Sequence, residues 1–473
     1  MPLPSSRLTL LFAALALAGC ASFEGLQPQS KVRDAQSLET QRTLANAPAV
    51  AWPASDWWKA YRDPQLDALM GEAFRANPTL AVAQARVRKA QAVAAAAGAP
   101  LQPRVDANAA ITEQRFSETS IYPPPFAGSW DTMNQATLDF HYEFDFWGRN
   151  QAALRAALGE ARAAEVDAAA ARLMLSVAVA EAYIDLQRDY AQRDVAQATL
   201  DQRTKLHDLT AQRYEAGLDS RVELKQVETA IPAARELIAR YDEAIEIDRN
   251  KLAALAGAGP DRGLEIARPE ARTVAAGVPA RLPAELIGRR PDIVAQRLRV
   301  EAAGARIDEA KAAFYPNVSL SAFVGLQSIG LDRFLRSAST IAGVGPALTL
   351  PIFDGGRLRA GLSGQDADYD IAVEQYNTAI LEAVREVADQ LASLRALEAR
   401  RTQQRMALAS AQDAYDLAVL RYREGLGNYL QVLVAETEVL TQRSLGADLD
   451  ARGLTLSVNL VRALGGGYEG AKS

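Results

Sequence analysis

At two places 208 residues apart, this chain turns an alternating strand into a helix too long for an ordinary globular core. In the stretch QATLDFHYEFDFWGR, residues 135–149, the apolar Ala136, Leu138, Phe140, Tyr142, Phe144 and Phe146 alternate with Gln135, Thr137, Asp139, His141, Glu143 and Asp145. Successive side chains on a strand point to opposite faces, so this is a strand with one apolar and one polar face. After Trp147-Gly148-Arg149 the period becomes helical, and residues 160–216 contain no Gly and no Pro. At 1.5 Å per residue that stretch alone spans about 85 Å. Val166, Ala169, Leu173, Val177, Ala180 and Ile184 give it a narrow, coiled-coil-like seam.

The same sequence of events recurs. Phe353-Asp354-Gly355-Gly356-Arg357 falls where Asp145 to Arg149 fell, and residues 365–424 are again free of Gly and Pro, with a seam at Ile380, Val384, Val387, Leu391 and Leu394. Arg421-Tyr422-Arg423-Glu424-Gly425-Leu426 repeats Arg213-Tyr214-Glu215-Ala216-Gly217-Leu218 at the same offset. Gly217 suits a left-handed helix cap, and Ser220 with Glu223 forms a capping box for a returning helix, so each long helix ends in a hairpin. The return helix in the first half carries Pro232, which predicts a kink. Upstream, the helix opened by Asn77-Pro78 and the strand after Gln102-Pro103 match Arg290-Pro291 and Tyr315-Pro316, now offset by 213. This is an internal duplication.

The expected divisions are a signal peptide at 1–19, a tether with a short helix at 20–76, a first repeat at 77–259, a linker at 260–289, a second repeat at 290–464 and a tail at 465–473. The first repeat holds strands 104–114 and 133–146 and the helical hairpin 148–256; the second holds strands 317–327 and 340–351 and the hairpin 354–464. Strands of about 10 residues can cross a membrane when tilted. Four cannot close a barrel, whose smallest forms have about eight, and open edges in lipid leave backbone groups unsatisfied. The barrel must be shared between chains, with Asp139, Glu143, Asp145, Asn317, Ser319 and Ser321 facing a wet lumen. A soluble sheet on a coiled-coil rod is the other reading.

The N-terminus points to a membrane too. Arg7 precedes an apolar run, Leu8 to Ala18, that leads into Leu17-Ala18-Gly19-Cys20, a lipoprotein signal that would leave the only cysteine, Cys20, as a lipidated N-terminus. Two or more acyl chains there give stable anchoring, and Ala21 after it fits sorting to the outer membrane. Residues 21–55 read as an extended, loosely packed tether. A net charge of −6 and a pI near 5.4 supply no basic surface for nucleic acid.

At Ser55 to Leu66, at Arg289-Arg290-Pro291-Asp292-Ile293 and at the paired Arg-Tyr-x-x-Gly-Leu turns, the sequence resembles the outer-membrane efflux lipoproteins, TolC-like channels of the NodT type that serve resistance-nodulation-division multidrug pumps. The resemblance covers nearly the whole mature chain. It implies a mainly helical fold with membrane β: a homotrimer forming a 12-stranded outer-membrane β-barrel, four strands per chain, continued by a periplasmic α-helical coiled-coil barrel. It also implies a passive conduit that exports drugs or other small molecules, in contact with outer-membrane lipid, with a periplasmic adaptor (membrane fusion) protein and with an inner-membrane pump. The adaptor contact would fall on the hairpin tips, here Gly217, Leu218, Gly425 and Leu426. Ala216 and Glu424 stand where tips of the family often carry Val.

Just before the tips lie Asp208 and Asp416, equivalent across the repeat, and Asp413. In a trimer each becomes a ring of three, where repulsion would raise some pKa values and a cation could bridge. The resemblance places an acidic constriction here, with Arg213, Tyr214, Arg421 and Tyr422 as gate partners. Charges on long helices ordinarily point to water, so a solvated outer face is the competing reading.

Catalytic patterns are missing. The two histidines, His141 and His207, have no HExxH spacing and no Cys partner, which leaves no expected metal site, cofactor or enzyme activity. Gly465 to Ser473 has Ala471 where a phosphate-binding loop needs Lys, and Gly257 to Gly263 fails the dinucleotide pattern. Channels for type I protein secretion or for metal ions, and a structural coiled-coil surface lipoprotein, are the alternatives.

Overall fold

The computed structural model describes residues 23–34, 37–40, 42–43, 50–270, 272, 277, 279 and 282–470. Cys20 and the expected signal peptide lie outside the described residues. In chain order the elements are α1 (Pro64–Ala76), α2 (Pro78–Gly98), β1 (Arg104–Arg115), β2 (Trp130–Phe144), α3 (Arg149–Glu215), α4 (Arg221–Leu255), α5 (Asp261–Leu264), α6 (Leu282–Arg289), α7 (Pro291–Ala312), β3 (Asn317–Ile329), β4 (Thr340–Thr349), α8 (Arg357–Arg423) and α9 (Tyr429–Ala463). α3 and α8 each run for 67 residues, and α4 continues through Pro232 as one helix. The span 260–289 is not a plain linker, since it carries α5 and α6; Arg262 of α5 grips Glu72 of α1 through two hydrogen bonds of 3.0 Å.

The chain forms two compact units, one of residues up to Val32, Arg86–Ala164 and Ala295–Asn377, the other of Arg33–Ala85, Glu165–Val294 and Thr378–Ser473. In the first unit the four strands make one antiparallel sheet ordered β1-β2-β3-β4, so the hairpins of the two repeats are joined through β2 and β3. Phe140 sits between Val105 and Ala322, and Leu138 between Ala107 and Val324. Residues opposite one another share a face, so these rows build one continuous apolar surface. It is bare: Val105 is 64% exposed, Leu138 53% and Val344 76%. On the other face Asp139 accepts hydrogen bonds from Asn108 (2.7 Å) and Thr137 (2.8 Å). Among the described residues, neither β1 nor β4 has a partner on its outer edge. No helix among them is long and apolar enough to cross a membrane.

The strand ends differ from expectation for local reasons. β2 begins at Trp130, opposite Arg115, rather than at 133. It stops at Phe144 because Asp145 turns away from the polar face and accepts the backbone N–H of Asn150 (3.1 Å) and Gln151 (2.8 Å), capping α3. β4 ends at Thr349, opposite the first residue of β3, instead of at 351.

The first described part of the segment expected to be a loose tether, residues 23–32, is docked in this same unit. Phe23 meets Phe314 edge-on at 5.2 Å and packs with Leu26 against the cluster of Ile307, Phe314 and Leu362. Asp370 of α8 accepts the backbone N–H of Gln29 (2.9 Å) and Ser30 (2.8 Å), and Asn377 donates to the Lys31 carbonyl. Two aromatic or aliphatic anchors and a run of backbone hydrogen bonds outweigh the entropy that keeps a polar segment loose.

The second unit has its core where α1 crosses α3. Trp57, Trp58, Tyr61, Leu66, Leu69 and Met70 pack on Leu175, Val177, Val179, Ala182, Tyr183 and Leu186. This corrects the expectation of one narrow seam: here α3 is buried nearly all round, because a second layer covers the face that would otherwise be wet. Asp63 caps α1 from the N-cap and also accepts the Tyr183 hydroxyl at 2.7 Å.

Candidate functional site

The two hairpin tips of the second unit are built from the same local rule. Gly217 (φ +71°) and Gly425 (φ +74°) take the left-handed conformation that ends α3 and α8. The Leu218 amide then donates to the Arg213 carbonyl, and Leu426 to Arg421, each at 2.8 Å. Returning helices begin with Ser220, whose side chain forms the capping box with Glu223, and with Asn428, whose Oδ1 accepts the Gln431 amide at 3.1 Å. Leu218 and Leu426 are left 65% and 70% exposed at the turns.

Between the tips lies a clasp that the duplication does not share equally. Arg213 reaches both oxygens of Asp219, at 2.9 and 3.2 Å, and its guanidinium lies 4.5 Å over the Tyr422 ring. The Tyr422 hydroxyl donates to the same carboxylate and sits 3.0 Å from Thr210 Oγ1. Burial, followed by the Asp219 contact, pushes the Tyr422 hydroxyl up to about 12, so it remains a donor near neutral pH. The counterpart of Asp219 is Gly427, and the counterpart Arg421 donates to the Leu426 carbonyl at 3.2 Å and stays exposed. Tyr214, the counterpart of Tyr422, is exposed too. The structure thus brings Arg213 and Tyr422 together and leaves Arg421 and Tyr214 outside the clasp.

The carboxylates singled out in the sequence are on the surface of the chain. Asp208 is exposed beside His207, at 3.3 Å; Asp416 is exposed and accepts from Gln412 at 3.0 Å; Asp413 is exposed.

A second ionic feature was not singled out. Arg203 bonds Glu436 of α9 at 3.3 Å and the Ala230 carbonyl of α4 at 2.9 Å, with Glu436 buried. Burial pushes the Glu436 carboxyl above the usual carboxylate range, opposed by Arg203. Tyr415 and Tyr429, both buried and pushed up to about 12 chiefly by burial, complete this layer between the hairpins. Its only sequence signal is a Glu amid the apolar positions of a helix.

The Arg289-Arg290-Pro291-Asp292 motif has a structural role. Arg290 is buried, forks onto both oxygens of Asp292 (3.0 and 2.6 Å), and reaches Glu386 (2.8 Å) and the Ala463 carbonyl (3.2 Å), tying together the start of α7, the middle of α8 and the end of α9. Gly465-Gly466-Gly467 is likewise a packing device: all three have positive φ, and a Cβ on Gly465 would stand 2.1 Å from the Arg289 carbonyl.

Comparison with known proteins gives a consistent result. The family model described as outer membrane efflux protein matches residues 69–258 and 282–466. The fusaric acid resistance protein FusA of Burkholderia cepacia is 41% identical over 376 residues, 78% of this chain and 71% of that protein. The multidrug resistance outer membrane protein MdtP of Escherichia coli K12 is 33% identical over 474 residues, 98% of this chain and 96% of that protein. Among solved structures, the outer membrane protein VceC of Vibrio cholerae superposes with a TM-score of 0.83 at 40% identity, covering 88% of this chain and all of that one. The Campylobacter jejuni outer membrane channel CmeC, at 20% identity and a TM-score of 0.86, shares the fold.

Proposed function

This chain belongs to the outer membrane efflux protein family and forms an outer-membrane efflux channel, and from that premise we propose that three copies close one pore that docks on a periplasmic adaptor and an inner-membrane pump. The observation that carries this reading is the open sheet. Four strands with a bare apolar face and two unpaired edges are stable in lipid only if β4 of one copy pairs with β1 of the next. Three copies give about twelve strands, a width that leaves a lumen. The polar face with Asp139 and Asn108 then lines water, and the helices that continue the strands extend the pore into the periplasm.

In this reading the tips form the periplasmic end. The exposed Leu218 and Leu426 offer the adaptor two apolar knobs per chain, and rings of Asp208, Asp413 and Asp416 line the constriction. The Arg213–Asp219–Tyr422 clasp holds each chain's two hairpins in the closed arrangement. The cargo is a small organic molecule, in keeping with relatives named for fusaric acid and multidrug resistance. Planar-bilayer recording of the purified oligomer tests the channel: stable unitary conductance is expected, and none would return the chain to a coiled-coil rod. Cross-linking in the cell envelope, followed by identification of the partners, tests the adaptor and pump.

A further inference from the structure

A cavity of about 630 Å³ in the first unit is lined by all four helices that adjoin the strands, and its charge is opposite to that of the chain as a whole. Arg86 and Lys89 of α2, Arg149 of α3, Arg306 of α7 and Arg357 of α8 surround it, against the carboxylates of Glu160 and Glu309. Glu160 is taken by Arg306 at 3.1 Å. Arg86, Lys89, Arg149 and Arg357 make no salt bridge among the described residues and are exposed. The floor is apolar, with Val93, Leu358 and a row of alanines. Arg149 and Arg357 are equivalent positions of the duplication, each the first residue of its long helix, so the cation recurs at both handovers from strand to helix.

The packing of the four helices places this cavity on the inner side of the wall. The helices stand in the order of their strands: Leu154 of α3 packs on Gly98 of α2, Arg155 of α3 bonds Asp308 of α7 at 3.2 Å, and Leu362 of α8 packs on Ile307 of α7. Only the concave side of such a row lets one cavity touch both its outermost members, α2 and α8. The docked segment of residues 23–31 meets the same stretch of α8: Phe23 and Leu26 pack with Leu358 and Leu362, which also line the cavity, while Arg359 and Asp370 hold its backbone.

We propose that this cavity is a low-affinity seat for amphiphilic organic anions, such as an aromatic or aliphatic carboxylate, within the lumen where barrel and tunnel meet. The inference rests on the channel reading above. The unpaired guanidinium and ammonium groups take the carboxylate, the alanine-lined floor takes the apolar body, and the trimer repeats the seat three times round the pore. Seats of this kind raise the local concentration of anionic cargo while the wet surroundings keep each contact weak enough for release.

The test uses the purified full-length channel in planar bilayers, with 4-phenylbutyrate as probe and 4-phenyl-1-butanol as its neutral counterpart. Phenylbutyrate should reduce conductance at 0.15 M KCl and much less at 1 M, where screening shortens to about 3 Å, and the alcohol should be weaker. The R149Q/R357Q variant should need about tenfold more phenylbutyrate for half block, since two exposed, screened ionic contacts are lost. Glu309→Gln, which removes a carboxylate, should shift the block the other way and keeps the test valid if the double variant fails to assemble. Equal block by acid and alcohol, or block unchanged in both variants, overturns the anion seat and leaves the channel standing. No conductance in any preparation overturns the channel reading beneath it.

Discussion

Replacing Asp219 by Ala should loosen one hairpin tip and leave the remainder of the second unit intact. Asp219 and Arg213 keep only 8% and 10% of their side chains exposed, and Asp219 is the acceptor for Arg213 and for the Tyr422 hydroxyl. Removing one partner of a buried pair costs about 3–5 kcal/mol because the other is left charged and poorly solvated. Arg213 retains the Tyr422 ring and a longer contact to the Arg423 carbonyl at 3.4 Å, so the lower end, about 3 kcal/mol, is expected. At about 1.4 kcal/mol per factor of ten, local opening becomes about a hundredfold more frequent. Hydrogen–deuterium exchange read by mass spectrometry on peptides spanning residues 210–222 should show that acceleration, while peptides spanning 175–186 in the α1–α3 core should not change. Tyr422→Phe should give a smaller effect, about 1.5–2 kcal/mol for a lost hydrogen bond to a charged group, and Glu424→Ala, at an exposed position, less than about 0.5 kcal/mol. Unchanged protection in Asp219→Ala, or an equal change in Glu424→Ala, would refute the clasp.

Other outcomes follow from the same contacts. Asp416→Ala should raise the conductance of the closed channel and remove block by divalent cations; unchanged conductance and block would take Asp416 out of the constriction. Burial, followed by Asp189 and Asp185, pushes Asp248 up to about 6, so the native state binds its proton more readily than the unfolded chain. The stabilisation from that proton is fully present below about pH 4, the unfolded value, and is lost as pH rises through about 6. Asp248→Asn should therefore stabilise the protein at pH 7.5 by about 1–3 kcal/mol and flatten the dependence of thermal unfolding between pH 4 and 7, and a steeper dependence would contradict it. Arg290→Met should lower stability by about 3 kcal/mol by leaving Asp292, Glu386 and the Ala463 carbonyl short of a donor, visible as a drop in Tm without loss of helix signal in the fold that remains.

Local chemistry was legible in the sequence wherever one residue decides a turn. The caps at Gly217 and Gly425, the capping box at Ser220 and the N-cap at Asp63 all act within a few residues, and the alternation in β1–β4 reports a two-faced sheet directly. What was not legible depends on partners distant in the chain. Asp219 follows the repeated turn where the second repeat has Gly427, and its value as the acceptor for Arg213 and Tyr422 appears only when hairpins of different repeats meet. Ile184 and its neighbours read as one seam because the layer of Trp57, Tyr61 and Leu69 comes from 120 residues earlier. Asp145 reads as a lumen residue by alternation, but the free amides at the start of α3 compete for its carboxylate and take it. The polar residues 21–55 suggest a loose tether by composition, and Phe23 and Leu26 supply the anchors that composition hides.

The shared barrel is tested most directly by joining β1 to β4 between copies. Apart from Cys20, the chain has no cysteine, so paired cysteines placed at neighbouring positions of the two edge strands, one from Val105–Ile111 and one from Ile341–Leu348, report only engineered contacts. At the matching register, oxidation of the membrane-embedded protein should give a ladder of one, two and three chains on denaturing gels that stops at three. No intermolecular product at any register, or a ladder running past three, would contradict a pore closed by three copies of this sheet.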